Sequence, residues 1–191
     1  MKLRTQRGMS WVETLFGVIL FFVLVSLLVP VNCSSHPGGE GMVISLSHMK
    51  QLQIATMQMS LDYSTNRNSV QWTCSNNIPL TFEQWTNALV SGGYLQSRDL
   101  LRLLTISYRG KPVTDAIRAF AVAEDDEWDT LLFATKNWQG ITNTELAGDL
   151  YGKRGCVVFR KGGDGAVLLP RQITNARFVG TGGMHNYLPL K

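Results

Sequence analysis

The sequence predicts an α+β chain with a separate apolar helix near its N-terminus. Three observations predict it. Residues 15–29 carry neither charge nor proline. Residues 43–64 place apolar side chains at helical spacing. The C-terminal half holds short apolar runs divided by Gly- and Asp-rich turns, the pattern of antiparallel hairpins.

The first element is a basic leader, residues 1–8, MKLRTQRG. The chain has 191 residues and a formal net charge of +4. Setting aside Lys2, Arg4 and Arg7 leaves 15 of the 18 Lys and Arg against 14 Asp and Glu. The basicity therefore belongs to the leader. No later cluster of Lys and Arg is interleaved with aromatics, so no nucleic-acid surface is inferred.

Residues 9–31 follow as one helix. At about 1.5 Å per residue it spans roughly 35 Å, enough for a hydrocarbon layer of about 30 Å. The leader keeps the N-terminal side cytoplasmic, which puts residues 43–191 on the far side of the cytoplasmic membrane. Glu13 stands at the mouth of this apolar helix. A charge at the centre of a membrane helix costs about 2.5 to 3.5 kcal/mol, and less near its end.

Three processing routes compete. A secretory signal peptide would be cut after Ser35, although no A-x-A site follows the apolar run. A lipoprotein signal would end at Cys33, which Asn32 precedes. Cleavage after Gly8 would instead free the amine of Met9. That positive charge lies one helical turn from Glu13, whose own charge also suits a helix N-terminus. In stacked helices, Glu13 of one subunit can neutralise the Met9 amine of its neighbour.

Gly8, Met9, Glu13 and the apolar run resemble the N-terminus of type IV prepilins and type II secretion pseudopilins. Pro30 also falls where pilin helices commonly carry a proline. Ser10-Trp11-Val12 departs from the usual stretch. The resemblance implies cleavage between Gly8 and Met9 by a prepilin peptidase, followed by N-methylation of Met9. It implies a pilin-like fold: a long apolar helix, then a helix packed on a small antiparallel sheet. It also implies a structural role rather than an enzymatic one. The expected partners are the peptidase, other pilin-like subunits, an assembly platform and the membrane. The alternative is a membrane-anchored, extracytoplasmic binding module that does not polymerise.

Residues 32–42, rich in Gly and Pro, read as a hinge. Beyond it, Leu46, Met49, Leu52, Met59 and Tyr63 form one broad arc on the helix over 43–64. Val43, Ile54 and Leu61 form a second, thinner stripe, so this helix is expected to be covered on more than one side. Met42, Met49, Met57 and Met59 read as adaptable core packing. Residues 65–79 read as a polar loop carrying Trp72 and Cys74. Thr81 caps a helix over 82–90, and a short helix follows over 97–104. Residues 119–123 and 130–135 flank an acidic turn as one hairpin. Residues 156–160 and 166–169 flank Lys161-Gly162-Gly163-Asp164-Gly165 as a second. The stretch 171–191 has no assigned structure.

Ser47-His48-Met49-Lys50-Gln51-Leu52 is similar to a stretch found in a large group of bacterial pseudopilin-like proteins. Trp85, Gly93-Tyr94-Leu95 and Asp164-Gly165 extend that similarity. Arg154 stands where many members of the group place a histidine.

Nothing in the sequence assembles a nucleophile with a base. His36, His48 and His185 are scattered, and no catalytic residue is assigned. Asp125, Asp126 and Asp129, in the densest acidic run, are the candidate calcium ligands. Calcium loops alternate acids around a glycine. Consecutive acids fit a solvated turn better, so no cofactor is expected. Cys74 and Cys156 read either as a disulfide, which an extracytoplasmic location permits, or as buried free thiols.

Overall fold

A computed structural model describes residues 39–66, 70–148 and 150–191. The leader, the apolar helix over 9–31 and residues 32–38 of the hinge lie outside the described residues. Among the described residues no helix is long and apolar enough to cross a membrane.

The first described element is helix α1, Gly39–Asn66. It begins four residues before the expected start, so Gly39 to Met42 form its first turn and not part of a hinge. Glu40 in that turn suits the positive end of the helix. One face is buried along its length through Met42, Met49, Leu52, Ala55 and Met59. Polar residues on the same face are all bonded. Ser45 donates to the Gly41 carbonyl at 2.8 Å and Thr56 to that of Leu52 at 2.8 Å. Gln53 Nε2 donates to the Lys161 carbonyl at 2.9 Å, and Ser60 to the Glu124 carboxylate at 2.7 Å.

The second stripe is not covered. Val43 is 63% exposed, Ile54 39% and Leu61 59%. The expectation that the helix is packed on more than one side is corrected: the core gathers on the Met49–Leu52–Met59 face, and the second stripe stays outside it.

A small pair, β1 (Cys74–Ser75) and β2 (Ile78–Pro79), interrupts the polar loop. Helix α2, Phe82–Ser91, starts at Thr81 with a reciprocal cap. Thr81 Oγ1 accepts from the Gln84 amide at 3.1 Å, and Gln84 Oε1 accepts from the Thr81 amide at 2.9 Å. Helix α3, Ser97–Leu104, falls where the sequence puts it. A hairpin of β3 (Ile106–Tyr108) and β4 (Lys111–Val113) follows. Its turn uses Arg109 and Gly110 at positive φ.

The main sheet has four antiparallel strands in chain order: β5 (Ile117–Ala119), β6 (Leu131–Thr135), β7 (Cys156–Arg160) and β8 (Gly165–Leu168). The second expected hairpin is present, with Cys156 opposite Leu168 and Phe159 opposite Gly165. The first is shifted. Its leading strand ends at Ala119; Phe120 still donates to the Leu132 carbonyl at 2.9 Å while bridging to Pro189, and Ala121 bonds the Leu188 carbonyl.

Both faces of this sheet are covered. Ile117, Phe133, Val157 and Phe159 join the core under α1. Ala134, Cys156, Val158 and Leu168 join a second core with Phe120, Trp138, Ile173 and Val179. The C-terminal stretch supplies much of that second cover through a 3₁₀ turn, Pro170–Gln172, and helix α4, Ala176–Val179. The described chain is thus α+β, with a small antiparallel sheet between helix α1 and an irregular C-terminal layer.

Candidate functional site

Two features sit at opposite ends of the β5–β6 hairpin. At one end the loop over residues 120–130 carries the acidic run. At the other, residues just before β5 and just after β6 line a cavity.

The acidic loop is built around a lysine. The β7–β8 turn brings in Lys161, whose side chain is buried at 2% exposure. Its ammonium donates to the backbone carbonyls of Ala123 at 3.1 Å, Glu124 at 2.5 Å and Asp126 at 2.7 Å. The Trp72 ring lies 5.2 Å from it and the Trp128 ring 5.4 Å, both within cation–π range. Burial pushes the Lys161 pKa below its usual value, while Glu124, Asp126 and Asp125 push it back up.

The acidic side chains turn to different tasks. The Asp126 carboxylate accepts from the Ala123 amide at 2.7 Å and the Met184 amide at 2.6 Å, tying the loop to the C-terminal layer. Asp129 accepts from Thr181 at 3.2 Å. Asp125 and Glu127 point outward without a salt bridge among the described residues. The three candidate calcium ligands therefore do not converge. Among the described residues no group of three or more His, Cys, Asp or Glu does so.

Other residues singled out in the sequence are dispersed. Gly8, Met9 and Glu13 lie outside the described residues. Cys74 and Cys156 are free and buried, one in each core. The sheet keeps them apart, and the disulfide alternative gives way to the free-thiol one. His48 Nδ1 donates to the Leu103 carbonyl at 3.0 Å, joining α1 to α3. Asp164 pairs with Arg160 inside the β7–β8 hairpin, as a turn residue.

The cavity at the far end measures about 750 Å³. Among its described lining residues Arg109, Lys111 and Lys136 are cationic and Asp115 is anionic. Asp115 pairs with Lys136, which leaves Arg109 and Lys111 without a salt bridge among the described residues. Val113, Ala116 and Leu150 give it an apolar wall. Tyr108 and Asn137 also line it, and the Tyr108 hydroxyl and Asn137 Oδ1 are buried without a hydrogen-bond partner. Buried polar atoms without partners are uncommon in native folds.

The chain matches no protein-family model, no curated protein and no solved structure. The geometry above stands by itself.

Sequence reasoning missed Lys161 as the centre of the acidic loop. A signal existed: it is the one cation in the Gly-rich turn that follows the apolar run Cys156-Val157-Val158-Phe159 and Arg160. The cavity left no such signal, because its walls come from separate stretches of chain, around residues 108–116, 136–137 and 147–150.

Proposed function

We propose that this chain is a structural, pilin-like subunit of a type II secretion pseudopilus or a type IV pilus-type assembly. A prepilin peptidase cuts between Gly8 and Met9. The apolar helix over 9–31 holds the subunit in the cytoplasmic membrane, with its domain extracytoplasmic, until it joins a fibre. Glu13 then neutralises the Met9 amine of a neighbour.

One observation carries this reading: a basic leader, Gly8, Met9 and Glu13 precede an uncharged helix-length run. The α+β architecture supports it, since helix α1 lies across an antiparallel sheet. The uncovered stripe of Val43, Ile54 and Leu61 supports it as well, because a fibre would bury side chains that the domain leaves in solvent. We also propose that the domain needs no metal. The Lys161 ammonium already holds the carbonyls of the acidic loop together.

The cavity favours a second reading, an anchored binding module that does not polymerise. Two measurements separate the readings. Mass spectrometry of the mature chain should find a methylated Met9 at its start. Glu13→Ala should abolish multimers in membranes while leaving insertion intact, and multimers unaffected by that change would remove the assembly role of Glu13.

A further inference from the structure

We infer that copies of this chain join head to tail, the acidic loop over residues 124–129 of one copy entering the cationic cavity of the next. The inference rests on the fibre reading and names the domain contact within it.

The two surfaces are complementary. The loop presents Asp125 and Glu127, both exposed and without a salt bridge among the described residues. The cavity presents Arg109 and Lys111 in the same condition. Opposite charges placed this way set register and partner choice. Next to Glu127 in the chain stands Trp128, 66% exposed. A large aromatic beside free charges is the kind of anchor that dominates protein interfaces, and the apolar wall of Val113, Ala116 and Leu150 can receive it.

The wall behind the cavity holds two unsatisfied polar atoms. Tyr108 is 8% exposed and Asn137 3%, and each keeps one polar atom unpartnered. Both atoms are closed to solvent, so they mark an unsatisfied wall behind the cavity and not a surface that the loop touches directly.

The direction is fixed by helix α1. Its first turn lies against the cavity end, where a Cβ on Gly41 would meet the Tyr151 ring at 3.2 Å and the Tyr108 ring at 3.8 Å. Ser60, near its other end, bonds Glu124 in the acidic loop. The two surfaces thus stand at opposite ends of one axis, roughly 20 Å apart at about 3.3 Å per strand residue. A surface that binds a different surface on its copy repeats without closing on itself in pairs, and gives a ring or an open helix.

The test uses the full chain in membranes, with Cys33→Ser, Glu127→Cys and Thr114→Cys and a short bismaleimide. Cys74 and Cys156 are buried and stay silent. The expected result is a ladder of dimers, trimers and higher species that needs both new cysteines. Asp125→Lys alone and Lys111→Glu alone should each thin the ladder about tenfold. Combining the two changes in one chain should restore it. A ladder indifferent to each reversal, or a combination that rescues nothing, overturns this contact. If Glu13-dependent multimers form but this cysteine pair never links, the contact fails and the fibre reading stands. If no multimers form by any linkage, both fall.

Discussion

Lys161 donates its ammonium to the backbone carbonyl of Asp126 at 2.7 Å and not to the Asp126 carboxylate, which instead receives the amides of Ala123 and Met184. One residue thus takes a cation on its main chain and two N–H groups on its side chain. The loop is held from both directions, and no exposed acid is needed to hold it.

Lys161→Met should therefore be costly. It removes the donor from three carbonyls and leaves buried acceptors unmet, a loss of about 3 kcal/mol. Urea unfolding followed by tryptophan fluorescence measures it. A midpoint shift worth under about 0.5 kcal/mol would show that water replaces the ammonium without loss. Chelators and added calcium should leave the unaltered protein's midpoint unchanged.

The buried thiols set a limit at high pH. Burial raises the Cys156 pKa from 9.0 to about 12, and burial together with nearby Asp126 raises that of Cys74 to about 11. The folded state holds these protons more tightly than the unfolded one. Their contribution is whole below pH 9 and is lost as pH rises through about 11 and about 12. Between these limits stability should fall by up to about 1.4 kcal/mol per pH unit for each thiol. Urea midpoints from pH 8 to 11 should show the decline, and Cys156→Ala should make it shallower. A flat profile would contradict the burial of both groups.

Thr81→Ala removes a reciprocal cap on α2 and should cost about 1 kcal/mol. Gln84→Ala removes the other half of the cap and should cost less. Equal thermal midpoints for Thr81→Ala and the unaltered protein would show that solvent serves the first turn as well.

Ile54→Asp separates folding from assembly. Ile54 is exposed on the uncovered stripe of α1, so unfolding should shift by less than about 0.5 kcal/mol. Multimers in membranes should fall sharply under the fibre reading. Unchanged multimers would show that this stripe faces solvent in the assembled state.

Legibility in the sequence varied with the range of the cause. Helices α2 and α3 and the β7–β8 hairpin are set by neighbours in sequence. Thr81 and Gln84 cap within one turn, and Gly163 at positive φ closes the hairpin. The tail over 171–191 could not be read, because its fold depends on docking against Phe120, Ala134 and Val158, which lie far from it in sequence. Residues 131–134 and 156–159 hinted at it: both strands are apolar without alternation, which marks a sheet covered on both faces. The β3–β4 hairpin escaped notice because each strand has only three residues. Lys161 escaped because its partners are carbonyls, and a carbonyl leaves no mark on side-chain identity.

Helix α1 is fastened along its length at Ser45, in short contact with the Tyr151 hydroxyl, at Gln53 on the Lys161 carbonyl, and at Ser60 on Glu124. The three fastenings span fifteen residues, about 22 Å of helix. A pull along the helix axis from its N-terminal side loads all three in shear at once and does not peel them one after another. The domain is built to bear tension delivered through its first turn, with Tyr151, the Lys161 carbonyl and Glu124 sharing the strain.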